Sequence, residues 1–585
     1  MDKQKELDAS ERRSARWFRK NDLPGFIHRS TLAADGWSRQ DLIERPVVGI
    51  LSTWSDLNPC NLNLRALAVK VREGILEAGG IPFEVPMMSI SENLIKPSSF
   101  PFRNLLSMDV EETIRGYPFD SVVLLGGCDK TQPGLLMGAA SANVPAIVLN
   151  SGPATPRSMS GGPLATATGV WRFVDQMRAG NLSTAEFEQF ECSVMGSPGH
   201  CSEMGTASSM STICEALGLS LAGSSLIPST DGRRSQFAKE TGRRSVTMAR
   251  TGSPTPAQVL DERAFDNAIA LLCAVGGSTN VIVHLLALAG RVGVPLTLER
   301  FDAIARRVPL IANVQPAGEF LTERLMTAGG VPALLKTLAP LLHLDARTVE
   351  GKTIGEIAAE AEVLDKQVIR PLDEPVKAGE SIIVVKGSLA PDGAVIKACA
   401  ADRNLFQHRG RAVVFEDVQS LADQIDDPAL GIDENSVLIL RNAGPVGAAM
   451  PEWGMLPIPR RLMEKGVMDM VRISDARMSG TAYGTAILHV SPEAAAGGPL
   501  ACVRTGDMIE LDVAERRLDI LVSAEEMEKR RAELPPRVER HTRGYRAMFA
   551  RNVEQAHLGC DFGFLRGSNA DTLPEGLFEG WVGGW

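Results

Sequence analysis

The sequence lacks any apolar run that approaches the ~20 residues needed to cross a bilayer. Its most apolar segments, SVVLLGG and IALLCAVGG, are short and end in glycine, which is typical of buried strand or helix ends. The first twenty residues are densely charged and contain no apolar stretch of the kind that an export signal carries. We therefore expect a cytoplasmic protein that has no membrane partner.

An excess of positive charge is also missing. The chain has 71 acidic and 61 basic residues, a net charge of −10, which argues against nucleic acid as a partner. The glycine-rich stretches GGPLATATG and CAVGGSTN follow neither G-x-G-x-x-G nor the Walker pattern. The G-x-S-x-G pattern of α/β-hydrolases is absent around Ser479. These absences argue against nucleic-acid binding, nucleotide-phosphate binding and α/β-hydrolase chemistry. We therefore expect a different reaction on a small molecule.

Compact cysteine motifs are missing as well, although the chain has nine cysteines. In a reducing compartment these residues are not expected to form structural disulfides. Cys60, Cys128 and Cys201 differ from the others because each lies in a loop rich in glycine, proline or asparagine, where a cysteine can reach a metal cluster. Their separations of 68 and 73 positions fit no ferredoxin or zinc-ribbon pattern. Cys560 stays unassigned, and small buried hydrophobes are predicted at Cys192, Cys214, Cys273, Cys399 and Cys502.

Strand-like and helix-like segments alternate over residues 46–150, which predicts a parallel sheet with crossover helices. Ligands bind such sheets at the loops that follow the carboxyl ends of the strands. The loops 53–60, 89–93 and 126–130 are therefore expected to converge on a site. Residues 180–370 are predicted to be mostly helical.

A second pattern begins after a segment rich in proline and charge at 368–380, which we interpret as a linker. Short strands separated by Gly, Pro and Asp turns then predict a β-barrel or sandwich. The predicted fold class is α/β, with an N-terminal parallel-sheet α/β domain (1–375) followed by a smaller C-terminal β-barrel-like domain with flanking helices (376–585).

Acidic residues lie in the same loops as the cysteines. Glu92 and Asp129 carry oxygens that suit a hard cation such as magnesium, and Lys130 follows directly. Taken alone, Glu92 also fits a helix cap or a solvent-facing acid, and Lys130 a surface cation. Glu452 is the one acid in a Gly-, Pro- and Met-rich stretch, and Ser479 begins a loop of small residues that carries little information by itself.

Seven segments together resemble the dihydroxyacid/phosphogluconate dehydratase family. They run in family order and cover the chain from about residue 46 to 515. The segments are TWSDLNPCN, SISEN, GGCDKTQPGLLMGAA, PGHCSEMGTASSM, GGSTN, GPVGAAMPEW and RISDARMSGTAYGT.

The resemblance implies a hydro-lyase that has an iron–sulfur cluster and magnesium. The C2 proton of a 2,3-dihydroxy acid would be removed by Ser479, and the C3 hydroxyl would leave with Lewis-acid assistance to give a 2-keto-3-deoxy acid. A cysteine at position 60 resembles the [2Fe–2S] branch of the family. The implied residues are Cys60, Cys128 and Cys201 for the cluster; Glu92, Asp129, carbamylated Lys130 and Glu452 for magnesium; and Ser479 and Thr481, with Lys130, for catalysis and substrate binding.

The loop SISENLIKPSSFPFRN and the opening RSARWF…GFIHRS resemble the sugar-acid branch, whose substrates include L-arabinonate, D-xylonate and D-gluconate. The tail SNADTLPEGLFEGWVGGW departs from the ending expected of that branch. The rival within the family is the dihydroxyacid dehydratase of branched-chain amino acid synthesis. A homodimer or homotetramer is expected.

Three further alternatives remain at this stage. His200 competes with Ser479 as the base, because its ordinary pKa suits that task, although a bond to a cluster sulfur is the preferred interpretation. The chain could instead be an iron–sulfur electron-transfer or sensor protein, which would need no magnesium acids. A solute-binding module would need no metal at all.

Overall fold

Four parallel strands form the first sheet, in the order β2-β1-β3-β4. The computed structural model of the protein describes residues 5–159, 162–191, 193–536 and 539–567, so the predictions for Cys192 and for the tail 568–585 lie outside the described residues. The central strand β1 is buried along its whole length, because its apolar run VVGILS is covered on both faces. The strands are β1 (Val47–Ser52), β2 (Ile81–Pro86), β3 (Ser121–Leu125) and β4 (Ala146–Leu149).

Helices cover both faces of this sheet. In α4, buried residues Leu64, Leu67, Val71 and Ile75 recur every three or four positions, so one stripe of the helix faces the core. Helix α6 is buried on all sides and ends at Asn143, which adopts a left-handed conformation (φ 52°). The helices up to this point are α1 (Ala15–Phe18), α2 (Leu23–Ala33), α3 (Arg39–Glu44), α4 (Leu64–Glu77), α5 (Pro101–Gly116) and α6 (Thr131–Ala142).

The middle of the chain is mostly helical, as predicted. A two-residue strand and one short hairpin interrupt the helices: β5 (Arg157–Met159), β6 (Gly162–Leu164) and β7 (Pro309–Leu310). The helices are α7 (Ala167–Arg178), α8 (Thr184–Glu191), α9 (Thr206–Ala216), α10 (Gly232–Thr251), α11 (Pro256–Val259), α12 (Glu262–Ala274), α13 (Asn280–Val292), α14 (Leu298–Ala305), α15 (Thr322–Thr327), α16 (Gly330–Leu338) and α17 (Ile354–Glu360).

The C-terminal half is built on an eight-stranded mixed sheet in the order β16-β15-β11-β12-β13-β14-β10-β9. Its two end strands meet, because the Lys386 N–H donates to the Arg516 carbonyl and the Leu518 N–H to the Lys386 carbonyl, each at 2.8 Å. The sheet therefore forms a nearly closed barrel with an apolar interior. Its strands are β9 (Ile383–Val385), β10 (Gly393–Ile396), β11 (Gln407–Phe415), β12 (Val437–Leu440), β13 (Arg472–Ser474), β14 (Ala486–Ser491), β15 (Met508–Asp512) and β16 (Arg517–Ile520).

Five helices flank the barrel: α18 (Val418–Gln424), α19 (Pro445–Ala448), α20 (Arg460–Met463), α21 (Ala524–Ala532) and α22 (Gly544–Asn552). The predicted α/β class, with a parallel-sheet half followed by a barrel-like half, is confirmed by this architecture. Within the described residues, no helix has the length and apolar composition of a membrane span.

The segment interpreted as a linker is partly ordered as a strand. β8 (Lys377–Glu380) pairs with β7, which precedes it by more than sixty residues. The linker interpretation was wrong for these four residues, because the charged side chains of Lys377 and Glu380 are compatible with a short edge strand. The division of the chain at residue 375 stays a prediction.

Candidate functional site

Loops that follow β1, β2 and β3 lie against one another, as the strand order requires. The Asn58 side chain donates to the Ile90 carbonyl at 3.0 Å, which joins the first loop to the second. The Asn61 side chain accepts from the Gly127 N–H at 2.8 Å, which joins the first loop to the third. The three loops named from the sequence therefore form one surface at the carboxyl edge of the sheet.

Three cysteine side chains meet on this surface. The Cys60 thiol is hydrogen-bonded to the Cys128 thiol, and this bond, together with burial, raises the pKa of Cys60. Cys201 arrives on a separate segment, which the Gly199 N–H fixes to the Pro59 carbonyl at 3.0 Å. Burial and the nearby charge of Glu203 raise the pKa of Cys201. Cys128 is buried and the other two are half-buried, and thiols that prefer to stay protonated need a cationic partner before they ionise.

Gly127 permits the close approach of these loops. A Cβ at this position would collide with the Ser151 side chain and the Cys60 carbonyl. Only glycine therefore leaves Cys128 next to Cys60 at the end of β3. The five other described cysteines are all buried, as predicted for four of them: Cys214, Cys273, Cys399, Cys502 and Cys560.

A buried arginine joins carboxylates from the two halves of the chain. The Arg477 guanidinium donates to Glu92 at 2.7 Å, to Glu452 at 2.6 Å and to the Met450 carbonyl at 2.6 Å. Burial opposes ionisation of Glu92, but the charges of Arg477 and Lys130 outweigh burial and lower its pKa. Burial and the charge of Glu92 raise the pKa of Glu452. Two carboxylates that share one guanidinium keep a net negative charge, so binding of a second cation beside them is favourable.

Lys130 lies at the start of α6, next to these acids. Its side chain is fully buried, and its ammonium lies 3.2 Å from Glu92 and 3.9 Å from Asp129. Within the described part of the chain this ammonium has no hydrogen-bond partner of good geometry. Burial raises the pKa of Asp129, and the charge of Lys130 opposes that rise. A lysine so placed has a donor atom that the protein itself leaves unsatisfied.

The Ser479 and Thr481 hydroxyls form a pair 2.8 Å apart. The Trp171 indole N–H donates to the Thr481 hydroxyl at 3.1 Å. Because an indole can only donate, the Thr481 oxygen accepts there and its own proton is free to point at Ser479. Either hydroxyl of the pair can be the donor, and a bond donated by Thr481 favours negative charge on the Ser479 oxygen. The Thr168 hydroxyl also binds this loop, at the Thr481 carbonyl (2.9 Å).

Glu203 holds the helix that carries Trp171. Its buried carboxylate accepts from the N–H groups of Ala167 at 2.6 Å and Thr168 at 2.8 Å, which open helix α7. The unsatisfied N–H groups of a helix start favour such an anion. Because Glu203 is two residues from Cys201, the cysteine surface and helix α7 are mechanically connected.

The serine loop and the acids belong to one site. A Cβ at Gly480 would lie 2.5 Å from the Ser278 Cβ, so only glycine lets the loop pack there. From the same segment, the Asn280 amide donates to Glu452 at 2.8 Å and to the Thr206 hydroxyl at 3.0 Å. The predicted residues from both halves are thus brought together around residues 278–280.

Both ring nitrogens of His200 have protein partners. Its Nδ1 lies 3.1 Å from the Cys201 carbonyl and 3.2 Å from the Ser208 hydroxyl, and its Nε2 lies 3.4 Å from the Ser211 hydroxyl. The bond to a cluster sulfur stays a prediction. Burial lowers the pKa of His200 to about 3. A fully buried imidazole with these partners is a structural support for the Cys201 segment.

Sequence reasoning missed three residues of the site: Arg477, Asn280 and Trp171. Arg477 and Asn280 lie inside the motifs RISDARMSGTAYGT and GGSTN, so their positions in those motifs could have identified them as site residues. Trp171 lies 310 positions from its partner Thr481, and no local pattern identifies it.

Metal chemistry is compatible with the donor set. Among the described residues, no three or more His, Cys, Asp and Glu side chains are arranged to hold an ion as they stand. The donor types nevertheless fit two different groups: three thiols suit iron, and carboxylate oxygens beside the unsatisfied Lys130 amine suit magnesium. Arg477 occupies both acids Glu92 and Glu452, so it supplies the positive charge there in this structure.

Comparison with known protein families gives two matches that together cover most of the chain. Residues 45–357 match the dihydroxy-acid/6-phosphogluconate dehydratase N-terminal family. Residues 367–560 match the corresponding C-terminal family.

Individual relatives are similar over nearly their whole length. An L-arabinonate dehydratase of Rhizobium leguminosarum bv. trifolii is 46% identical over 96% of this chain and 97% of its own. A 6-deoxy-6-sulfo-D-gluconate dehydratase of Pseudomonas putida is 43% identical over 98% of this chain and 99% of its own. A D-xylonate dehydratase of Caulobacter vibrioides is 39% identical over 94% of each chain.

Proposed function

Because the chain belongs to the dihydroxy-acid/6-phosphogluconate dehydratase family, we propose that it converts a five- or six-carbon aldonic acid to the 2-keto-3-deoxy acid. The protein is a hydro-lyase, and its similarity to three sugar-acid dehydratases makes it a sugar-acid dehydratase. The family resemblance and the sugar-acid branch predicted from the sequence are confirmed. L-Arabinonate is the first substrate to test, since the relative that acts on it is 46% identical.

One observation supports the chemistry most directly. The hydroxyl pair of Ser479 and Thr481 lies in the same site as the half-buried carboxylates of Glu92 and Glu452, joined to them through Arg477 and the segment 278–280. Dehydration needs a base beside the C2 proton and positive charge beside the substrate carboxylate. An electron-transfer protein would need neither the acids nor the hydroxyl pair.

Two inorganic groups complete the proposal. Cys60, Cys128 and Cys201 would hold a [2Fe–2S] cluster, and Glu92, Asp129, Glu452 and a carbamylated Lys130 would hold magnesium. When bound, these groups supply Lewis acidity for the departing C3 hydroxyl and for the carboxylate end of the substrate. The unsatisfied, buried Lys130 amine supports carbamylation, because a carbamate turns a repelling cation into an anionic oxygen donor.

The residues of the chain have distinct roles in this proposal. Ser479 accepts the C2 proton, with its oxygen paired to the Thr481 hydroxyl. Trp171 donates to the Thr481 oxygen and leaves the threonine proton free to point at Ser479. Arg477 keeps Glu92 and Glu452 at a fixed separation. The buried walls of the site exclude water, which strengthens each of these interactions.

A substrate panel tests the function. The protein, purified without oxygen and supplied with iron and magnesium, is assayed for 2-keto acid formation from L-arabinonate, D-xylonate, D-gluconate and 2,3-dihydroxyisovalerate. Strong turnover of a sugar acid with little of the branched acid is expected. The reverse preference would contradict the sugar-acid assignment, and turnover of none of the four would contradict the proposed function.

Cys60→Ser tests the cluster. The variant is expected to lose the visible absorbance of the cluster, because Cys60 is hydrogen-bonded to Cys128 and is one of the three described cysteines proposed to hold the cluster. Cys502→Ser is the matched control, since that cysteine is buried outside the site, and it should keep both absorbance and iron content. An unchanged spectrum in Cys60→Ser would remove Cys60 from the ligand set.

A further inference from the structure

Lys397 is a fully buried lysine that none of the roles above uses. Its ammonium donates to the carbonyl of Gly480 at 2.7 Å. Among the described residues it takes part in no ion pair within 4.0 Å, although the charge of Glu203 reaches it. Burial lowers the pKa of Lys397 to about 8. Burying an ammonium without a carboxylate partner is unfavourable, so the stability of the fold alone does not account for it.

Strand pairing in the barrel places Lys397 beside the loop that carries Ser479, which we call the serine loop. Lys397 follows strand β10, and β10 pairs with β14 through Ile396 and Ile487. The loop that carries Ser479 leads directly into β14, so the end of β10 must lie beside that loop. A second contact reinforces the first, because the Gly484 N–H donates to the Ala400 carbonyl at 2.7 Å. Residues 397–400 therefore hold the serine loop at two points.

Lys397 contacts the peptide group that lies between the Ser479 and Thr481 side chains. The Gly480 carbonyl belongs to the residue between Ser479 and Thr481, and its orientation sets the direction of both hydroxyls. On its other side, Gly480 packs against Ser278, so the loop has no room to shift. A positive charge bonded to this peptide also favours negative charge on the neighbouring serine oxygen. An ordinary serine hydroxyl is a poor base, and the site must compensate for this.

We propose that Lys397 is a positioning residue for the dehydration: it fixes the Ser479–Thr481 loop through Gly480 and places a positive charge beside the oxygen that accepts the C2 proton. The inference rests on the proposed function. The charged or ionisable groups that face Lys397 are Glu203, Cys399 and Lys377. None of them replaces its contact with Gly480.

The test compares Lys397→Met and Lys397→Arg with a matched control. Lys336 is the control, because it also donates to a backbone carbonyl, that of Ala361 at 2.5 Å, but away from the serine loop and from residues 397–400. Lys397→Met is expected to lower kcat by ~10–100-fold with KM nearly unchanged and with iron and magnesium contents intact. The C2-deuterium isotope effect should rise, since proton removal becomes slower. Lys397→Arg should recover part of kcat, and Lys336→Met should retain the wild-type kcat.

Hydrogen–deuterium exchange of the peptide that covers residues 478–485 gives a readout independent of turnover. Faster exchange in Lys397→Met than in Lys336→Met is expected. Unchanged exchange, or faster exchange with wild-type kcat and isotope effect, would overturn the proposal. If wild-type protein dehydrates none of the panel acids, the proposed function fails, and exchange alone decides whether Lys397 holds the loop. Should Lys397→Met not fold, Lys397→Gln keeps a donor without charge and gives the same comparison.

Discussion

Replacing Ser479 with alanine is expected to lower sugar-acid turnover by ~10²–10⁴-fold, the range that a positioned base contributes. The variant loses the oxygen proposed to accept the C2 proton, while the carboxylates and thiols keep their hydrogen-bond and ion-pair partners. Its iron content, magnesium content and thermal stability should therefore match those of the wild type. The measurement is kcat for L-arabinonate, with metal analysis on the same preparation.

Ser523→Ala is a suitable control for this experiment. Ser523 caps the surface helix α21 by accepting from the Glu526 N–H, and its loss should leave kcat unchanged. Wild-type turnover in Ser479→Ala would disprove the assignment of the base. A loss of iron or magnesium in that variant would instead give Ser479 a structural role.

Arg477→Met is expected to lower the free energy of unfolding by about 3–5 kcal/mol, the cost of removing one partner from a buried ion pair. Both Glu92 and Glu452 would lose the same guanidinium, and each would stay buried among other acids. Added magnesium should restore part of the loss, because a divalent cation can neutralise the same carboxylates. The measurement is the midpoint of thermal unfolding with and without magnesium.

Arg178→Met provides the comparison for that prediction. Arg178 also joins the two halves of the chain, through Asp426 at 3.3 Å, but both side chains are partly exposed. Exposed ion pairs contribute only about 0–1 kcal/mol. Equal losses of stability in the two arginine variants would contradict the special role of Arg477. A loss that magnesium does not change would mean that the ion binds elsewhere.

Local patterns in the sequence were enough to predict the first sheet. Strand β1 has the continuous apolar run of a buried parallel strand, and α4 has a regular apolar stripe. The barrel was predicted less completely. Strands β13 and β14 were not recognised, because β13 has only three residues inside a motif that was interpreted as a loop, and β14 follows that motif directly.

In the site, too, residues that are adjacent in the chain could be predicted, whereas contacts between residues far apart in the chain could not. Cys128, Asp129 and Lys130 are adjacent in the chain and could be found from one motif. Arg477 reaches Glu92 across 385 positions, and such a contact depends on how the barrel packs against the first sheet. The individual roles of the site residues stay predictions, which the variants above are designed to test.

Closure of the barrel has a consequence for self-association. A free strand edge invites strand addition from another chain, and aggregation follows from it. The edges of strands β9 and β16 are joined by the backbone hydrogen bonds of Lys386. In the first sheet, edge strand β2 carries prolines at 82 and 86, and β4 is bridged by Ser220. We therefore expect copies of this chain to associate through side-chain surfaces, and partly unfolded protein to resist fibril-like stacking for as long as the barrel stays closed.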